Sequence, residues 1–152
     1  MKRMRGILAI LVLVTVWSCA WTAAFASETA KDTPYFTRLG GYDALKDNYK
    51  TGLYDTYKLW TENGAMTVEG KVWSTTYSVR HGASPTSDLD IVRFYSSEVS
   101  KKDGTIVFDD RDDAGRRDIS GKFVNSKQKL VWVEVVAWNG GDDYRITVIE
   151  TR

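Results

Sequence analysis

The chain has 152 residues, with 21 basic and 20 acidic side chains and a formal net charge of +1. A chain so close to neutral lacks the excess of Lys and Arg that binds phosphates, which excludes nucleic acid as a partner. Its single histidine and single cysteine are too few for a zinc site, and they leave no pair for a disulfide. We therefore expect no cofactor and no metal, and a fold stabilised by packing alone.

The first 26 residues have the pattern of a signal peptide. Basic residues precede an uncharged apolar stretch, and the small side chains of Ala24 and Ala26 favour cleavage before Ser27. Two alternatives stay open, an uncleaved leader that anchors the chain and a lipoprotein acylated at Cys19. Either alternative would tether the protein to a membrane. The sequence thus predicts a periplasmic or secreted protein, associated with the outer membrane if a tether is kept.

The exported part is expected to form one domain. Removal of residues 1–26 would leave 18 basic and 20 acidic side chains, a nearly neutral remainder. Residues 27–34 are polar and lack apolar periodicity, which predicts a flexible leader. Residues 35–152 are long enough for a single core, and we assign them to one α+β domain. Within it, residues 43–49 fit a short helix or an irregular strand equally well.

Two strands are predicted next. Residues 54–60 have the aromatic and β-branched content of a strand, and a Glu-Asn-Gly turn at 62–64 leads into a second strand over 67–80. Apolar side chains alternate along this second strand, as they do when one face is buried. Gly70 interrupts the alternation, which predicts a β-bulge.

A helix is predicted at about residues 88–102. Ser87 is placed to cap its first turn with the help of Asp90. Val92, Tyr95 and Val99 form an apolar stripe that would lie on a sheet. Four strands should follow, separated by polar turns, at 105–108, 118–124, 130–138 and 144–150. The predicted fold class is α+β, a curved antiparallel β-sheet with one main α-helix packed on one face.

Several stretches, taken in order, resemble an uncharacterised N-terminal domain of OmpA-family proteins of the Gram-negative envelope. The matching stretches are residues 34–42, 68–70, 89–95, 131–135 and 144–150. In those proteins the domain usually precedes a peptidoglycan-binding OmpA-type domain, which these residues do not include, so peptidoglycan binding is not carried over. The resemblance implies an envelope location and a compact α+β domain, and it brings no catalytic residues.

The strongest candidates for binding residues lie on predicted strands. They are Trp73, Trp132, Glu134 and Trp138. Glu134 interrupts an otherwise apolar strand, and the tryptophans, with Trp60, would form an aromatic platform for a glycan or a protein. The competing interpretations are core packing for the tryptophans and a water-facing position for Glu134.

A weaker candidate is an acidic loop that begins like a calcium site. Asp110 and Asp112 alternate before a glycine, but Ala114 and Gly121 stand where a third acidic ligand and the bidentate glutamate belong. We expect a solvated loop there rather than a metal site. His81 is the only histidine and no nucleophile motif accompanies it, so no catalytic triad is predicted.

Together these patterns predict a non-enzymatic binding or assembly module of the bacterial cell envelope, with an envelope protein or a glycan as partner. One alternative is a carboxylate-based hydrolase acting on glycan or peptidoglycan, which requires a cleft with two acidic residues of separated pKa. A second alternative is a carrier of a small apolar ligand, which requires a cavity between sheet and helix.

Overall fold

The computed structural model describes residues 31–152, so the predicted signal peptide, the predicted cleavage site and Cys19 lie outside the described residues. Within 31–152 no helix is long and apolar enough to cross a membrane. The helix and strands of this part are β1 (Tyr42–Thr61), β2 (Gly64–Val79), α1 (Asp88–Ser100), β3 (Thr105–Arg111), β4 (Arg117–Val124), β5 (Leu130–Trp138) and β6 (Asp143–Glu150).

The six strands form one sheet in the order β1-β2-β6-β5-β4-β3, and every neighbouring pair is antiparallel. Helix α1 lies against β3, β4 and β5. This confirms the α+β class and the predicted combination of an antiparallel sheet with one helix. The meander from β3 to β6 follows from four strand patterns separated by short polar turns.

Helix α1 begins as its capping residues predict. The Ser87 Oγ accepts a hydrogen bond from the Asp90 N–H at 3.2 Å and donates one to the Asp90 carboxylate at 2.7 Å. The helix ends at Ser100, two residues before the predicted end. Its last turn closes because the Gly104 N–H bonds to the Val99 carbonyl while Asp103 takes a left-handed φ of 56°.

Strand β1 is longer and less regular than the sequence indicated. Residues 43–49, left undecided between helix and strand, are part of this strand. The pairing with β2 shifts register twice, between Ala44 and Tyr49 and between Thr51 and Leu53. These irregularities break the period-two alternation that identifies a strand in a sequence.

The bulge predicted at Gly70 is wrong. The β1–β2 register passes through Gly70 without a shift, and Gly70 instead lies beside the carbonyl of Glu150 at the end of β6. A Cβ at residue 70 would collide with that carbonyl, so a close backbone approach explains the glycine.

Packed structure begins before Tyr35, within the stretch expected to be a leader. Thr33 is only 3% exposed, and Asp32 forms an ion pair with Arg38 at 2.8 Å. The Thr75 hydroxyl also donates to the Lys31 carbonyl at 3.3 Å. Residues 31–34 therefore contact the sheet, while residues 27–30 lie outside the described part of the chain.

The main core fills the space between α1 and one face of the sheet. Tyr77, Tyr95 and Tyr144 are fully buried there, and the hydroxyls of Tyr95 and Tyr144 are 3.2 Å apart. Phe36, from the segment before β1, adds an edge-to-face contact with Tyr95. This helix-side face is thus closed by large side chains in mutual contact.

The opposite face of the sheet is concave, because the far end of the β1–β2 hairpin folds over it. The Glu62 N–H donates to the Val107 carbonyl at 2.9 Å, and the rings of Trp60 and Phe108 stack with centroids 6.4 Å apart. The two edge strands, β1 and β3, thereby meet at one end. A second apolar cluster fills the space beneath this closure, and it contains Leu59, Val68, Val72, Trp132 and Ile149.

Candidate functional site

A pocket of about 610 Å³ opens on the concave face beside the second apolar cluster. Five strands contribute to its walls, with an aromatic rim from β1 and β3 and charged side chains from these strands, from β4, β5 and β6, and from the loop after β3. The lining residues are Tyr57, Lys58, Trp60, Phe108, Asp110, Asp112, Arg116, Asp118, Glu134, Val136 and Arg145. We call this the concave pocket.

Glu134 lines the concave pocket and is only 5% exposed. The Tyr57 hydroxyl donates a hydrogen bond to Glu134 Oε2 at 2.6 Å, and Arg145 Nη2 approaches the same oxygen at 3.4 Å. A buried carboxylate needs such partners, since an unpaired one would be strongly destabilising. The interpretation of Glu134 as a water-facing residue is therefore wrong.

A row of hydrogen-bonding side chains runs from Glu134 across the sheet. Thr147 on β6 donates to the Tyr57 hydroxyl at 3.4 Å, and the hydroxyls of Thr147 and Ser74 are 3.0 Å apart. We call Ser74, Thr147, Tyr57 and Glu134 the polar row. It joins side chains from β1, β2, β5 and β6 in a region where antiparallel sheets usually bury apolar groups.

Asp118 is the second carboxylate of the pocket floor. It pairs with Val136 across β4 and β5, so it is a diagonal neighbour of Glu134 on the same face. Burial, and then the negative charge of Glu134, raise the pKa of Asp118 to about 7. The protonated form of this carboxyl is therefore more favourable than in a solvated aspartate.

The ionisation of Glu134 and Tyr57 is shifted as well. Burial raises the pKa of Glu134, although the hydrogen bond from Tyr57 and the charge of Arg145 act in the opposite direction. Burial, and then the charge of Glu134, raise the pKa of Tyr57 to about 12, so its hydroxyl remains a donor at neutral pH. The pocket thus contains two carboxyls in different hydrogen-bonding environments.

Three polar atoms beside these groups lack hydrogen-bond partners within residues 31–152. They are Asp118 Oδ1, Ser120 Oγ and Arg145 Nε, and all three are buried. Ser120 is fully buried and pairs with Glu134 across β4 and β5. Buried polar atoms of this kind are normally satisfied by ordered water or by a ligand.

Asp110 and Asp112 form one wall of the concave pocket. Both oxygens of Asp112 are engaged by Arg116, one by its backbone N–H at 2.8 Å and one by Nε at 2.6 Å. The Arg116 hydrogen bond lowers the pKa of Asp112. Among the residues that the structure describes, no group of three or more His, Cys, Asp and Glu side chains is arranged to hold a metal ion.

The four predicted binding residues are not brought together. Glu134 lies in the concave pocket, and Trp138 lines a second pocket of about 390 Å³ on the same face. Trp132 is 8% exposed within the second apolar cluster. Trp73 packs against the main core on the other face, because the register aligns it with Val148 and then Val133.

Sequence reasoning missed several residues of the pocket. Arg145 lies inside a predicted strand, between Tyr144 and Ile146, whereas Asp118 begins another predicted strand and follows the polar Arg117. Only the pairing of β4, β5 and β6 shows that these side chains share a face with Glu134. Tyr57 likewise reaches Glu134 only after the hairpin folds over.

Comparison of the chain with protein-family models, with curated proteins and with solved structures gives no match. The OmpA-family resemblance accordingly stays a prediction.

Proposed function

We propose that this protein is an exported, non-enzymatic binding module of the bacterial cell envelope and that its ligand occupies the concave pocket. The observation that carries the proposal is a pocket of about 610 Å³ with the buried Glu134 held in place by Tyr57 and Arg145. Ligand sites commonly enclose about 300–1,000 Å³ and contain a few fixed polar groups among apolar walls. The envelope location is supported by the signal-peptide pattern and by the OmpA-family resemblance.

The arrangement of charge in the pocket favours binding of a ligand with little net charge. Four carboxylates and three cationic groups line it, and two of the carboxylates, Asp112 and Glu134, are paired with Arg116 and Arg145. Fixed pairs of this kind direct hydrogen bonds without presenting a large uncompensated field. Trp60, which is 49% exposed, adds an apolar contact surface at the rim.

A photo-crosslinking experiment in living cells tests this function. A photoreactive amino acid is placed at Trp60 on the pocket rim or, as a matched control, at Phe94 on the exposed side of α1. Both side chains are partly exposed aromatics, at 49% and 38%. We expect a discrete crosslinked envelope component from position 60 and none of that component from position 94. Equal products at both positions, or none at position 60, would contradict the proposal.

A carboxylate-based hydrolase is the second candidate, and one observation favours it. Asp118, with a pKa of about 7, lies diagonally across from Glu134 in the same pocket. A protonated carboxyl beside an ionised one is the combination that general acid catalysis of glycoside cleavage requires. Asp118 would donate the proton, and Glu134 would act as the base or the nucleophile.

Incubation with envelope polysaccharide separates the two candidates. The binding proposal predicts that the wild-type protein releases no new reducing ends. Release by the wild-type protein that is abolished in both Asp118→Asn and Glu134→Gln would establish the hydrolase instead. Substitutions of this kind change ionisation while nearly preserving shape, so loss of activity would report the chemistry.

The remaining alternative, that the protein carries a small apolar ligand, has less support. The space between α1 and the sheet is occupied by buried side chains such as Tyr77, Tyr95 and Tyr144. The concave pocket is lined by seven charged residues, whose desolvation an apolar ligand would not compensate.

A further inference from the structure

A second pocket lies beside the concave pocket on the same face of the sheet. This second pocket, of about 390 Å³, is lined by Asn48, Tyr49, Lys50, Ser74, Thr76, Trp138 and Arg145. Arg145 lines both pockets and so marks their junction. We call the two together the concave groove.

The register shows that the groove is elongated across the strands. Residues that line the two pockets follow one another across the sheet on this face. Lys50 pairs with Ser74, and Thr76 on the same strand pairs with Arg145. Arg145 pairs with Val136, and Val136 with Asp118, which takes the line from β1 to β4. Because adjacent strands are about 4.8 Å apart, the line spans roughly 19 Å. A groove of this length suits a chain-like ligand better than a single compact molecule.

The groove has aromatic side chains at both ends and hydrogen-bonding groups between them. Trp60 and Phe108 lie at one end, and Trp138 lies at the other. Around Arg145, in the middle, lie the polar row and the three buried polar atoms that lack partners within residues 31–152. Two of those atoms, Asp118 Oδ1 and Arg145 Nε, belong to residues that line the concave pocket, so a matching ligand would donate to the first and accept from the second.

The chemistry of the groove excludes several ligand classes. A polyanion would meet Asp110, Asp118 and Glu134, and a polycation would meet Lys58 and Arg145. An apolar chain would leave Asp118 Oδ1 and Arg145 Nε without hydrogen-bond partners. A sugar ring, in contrast, presents an apolar face to an aromatic ring and hydroxyls that both donate and accept.

We propose that the concave groove binds a neutral linear oligosaccharide, with one sugar against Trp60, another against Trp138, and the hydroxyls between them on Glu134, Asp118 and Arg145. This assignment rests on the proposed function, because it names the ligand class of the same site. The two aromatic ends would act as linked subsites. A longer oligosaccharide then gains affinity because its second contact is intramolecular.

The test is calorimetric titration of the purified protein with defined sugars. The probes are linear tetrasaccharides of glucose, mannose or N-acetylglucosamine, the corresponding monosaccharides, and tetra-alanine as a neutral peptide of similar length. We expect at least one tetrasaccharide to bind about tenfold or more tightly than its monosaccharide. Trp60→Ala and Trp138→Ala should each weaken that binding by about tenfold, whereas Phe94→Ala should leave it unchanged.

Variants that retain an aromatic ring separate loss of stacking from loss of folding. Trp138→Phe and Trp60→Phe should restore most of the affinity that the alanine variants lose. The two phenylalanine variants and the two alanine variants should all still unfold cooperatively on heating. Equal affinity for tetrasaccharide and monosaccharide, no effect of Trp138→Ala, or binding of tetra-alanine alone would overturn the assignment.

Failure of this assignment is distinguishable from failure of the proposed function. If no sugar in the panel binds but crosslinking at position 60 still captures an envelope component, the oligosaccharide assignment is wrong and the binding function stands. If position 60 yields no crosslinked component, the function itself is wrong.

Discussion

The Tyr57 hydroxyl donates a 2.6 Å hydrogen bond to Glu134 Oε2, although the two residues are 77 positions apart in the chain. Tyr57 comes from the folded-over part of β1, and Glu134 from the centre of β5. The bond therefore joins the closing hairpin to the floor of the concave pocket. Tyr57 is also one of the two hydrogen-bond partners that offset the desolvation cost of burying the Glu134 carboxylate.

Removal of this hydroxyl should destabilise the protein. In Tyr57→Phe the ring is kept but the buried carboxylate loses a donor, and such a loss costs about 1–3 kcal/mol. Urea unfolding at pH 7 measures the change. Tyr54→Phe is the control, because the Tyr54 ring is about half exposed and stacks under Arg152 rather than bonding to Glu134. Equal stability of the two variants would contradict the role assigned to the Tyr57 hydroxyl.

Asp118 should make stability depend on pH. Its pKa is raised from 3.8 to about 7, so the folded state holds a proton that the unfolded state has released. The favourable contribution is present below about pH 4 and is lost as pH rises towards 7, by about 1 kcal/mol or more. Asp118→Asn should remove this slope, which unfolding measured from pH 4.5 to 7.5 would show. If the stability of the wild type and of the variant changed with pH in the same way, the raised pKa of Asp118 would be refuted.

The two carboxyls should be coupled. Because the charge of Glu134 raises the pKa of Asp118, Glu134→Gln should move the Asp118 titration towards acid. Burial is the larger cause and remains in the variant, so the pKa should stay above the ordinary aspartate value. Carboxyl-carbon NMR titration of the two proteins measures the change. An unchanged Asp118 midpoint would mean that the carboxyls do not interact.

The fold was largely predictable because its signals are local. The capping of α1 by Ser87 and the alternation in β2 each depend on a few neighbouring residues. The extent of β1 was not predictable in this way, since its two register shifts interrupt the alternation. Gly70 was misjudged for a related reason, because the contact that requires it comes from Glu150 on another strand.

The candidate site was only partly predictable, since it depends on which strands pair and how. Glu134 was identifiable as an acidic residue in an apolar strand. Trp73 and Trp132 look equivalent in the sequence, yet the register places them on opposite faces. Asp118 and Arg145 become part of one pocket only through pairing with β5. The residue pattern of a single strand does not reveal which residues of other strands it will pair with.

A close backbone approach should make Gly70 intolerant of substitution. In Gly70→Ala the new methyl group would meet the Glu150 carbonyl, which forces β2 and β6 apart and should cost about 1–3 kcal/mol. Gly40→Ala is the control, because a Cβ at residue 40 has no heavy atom within 4 Å. Thermal unfolding compares the two variants, and similar melting temperatures would show that the strands adjust without cost.

Binding of a ligand on the concave face should change the environment of the tryptophan side chains there. Indole N–H signals of the ¹⁵N-labelled protein are recorded before and after addition of solubilised envelope extract. We expect shifts for Trp60 and Trp138, which line the two pockets, and none for Trp73, which packs on the helix-side face. A shift of Trp73 with Trp60 and Trp138 unchanged would contradict binding on the concave face.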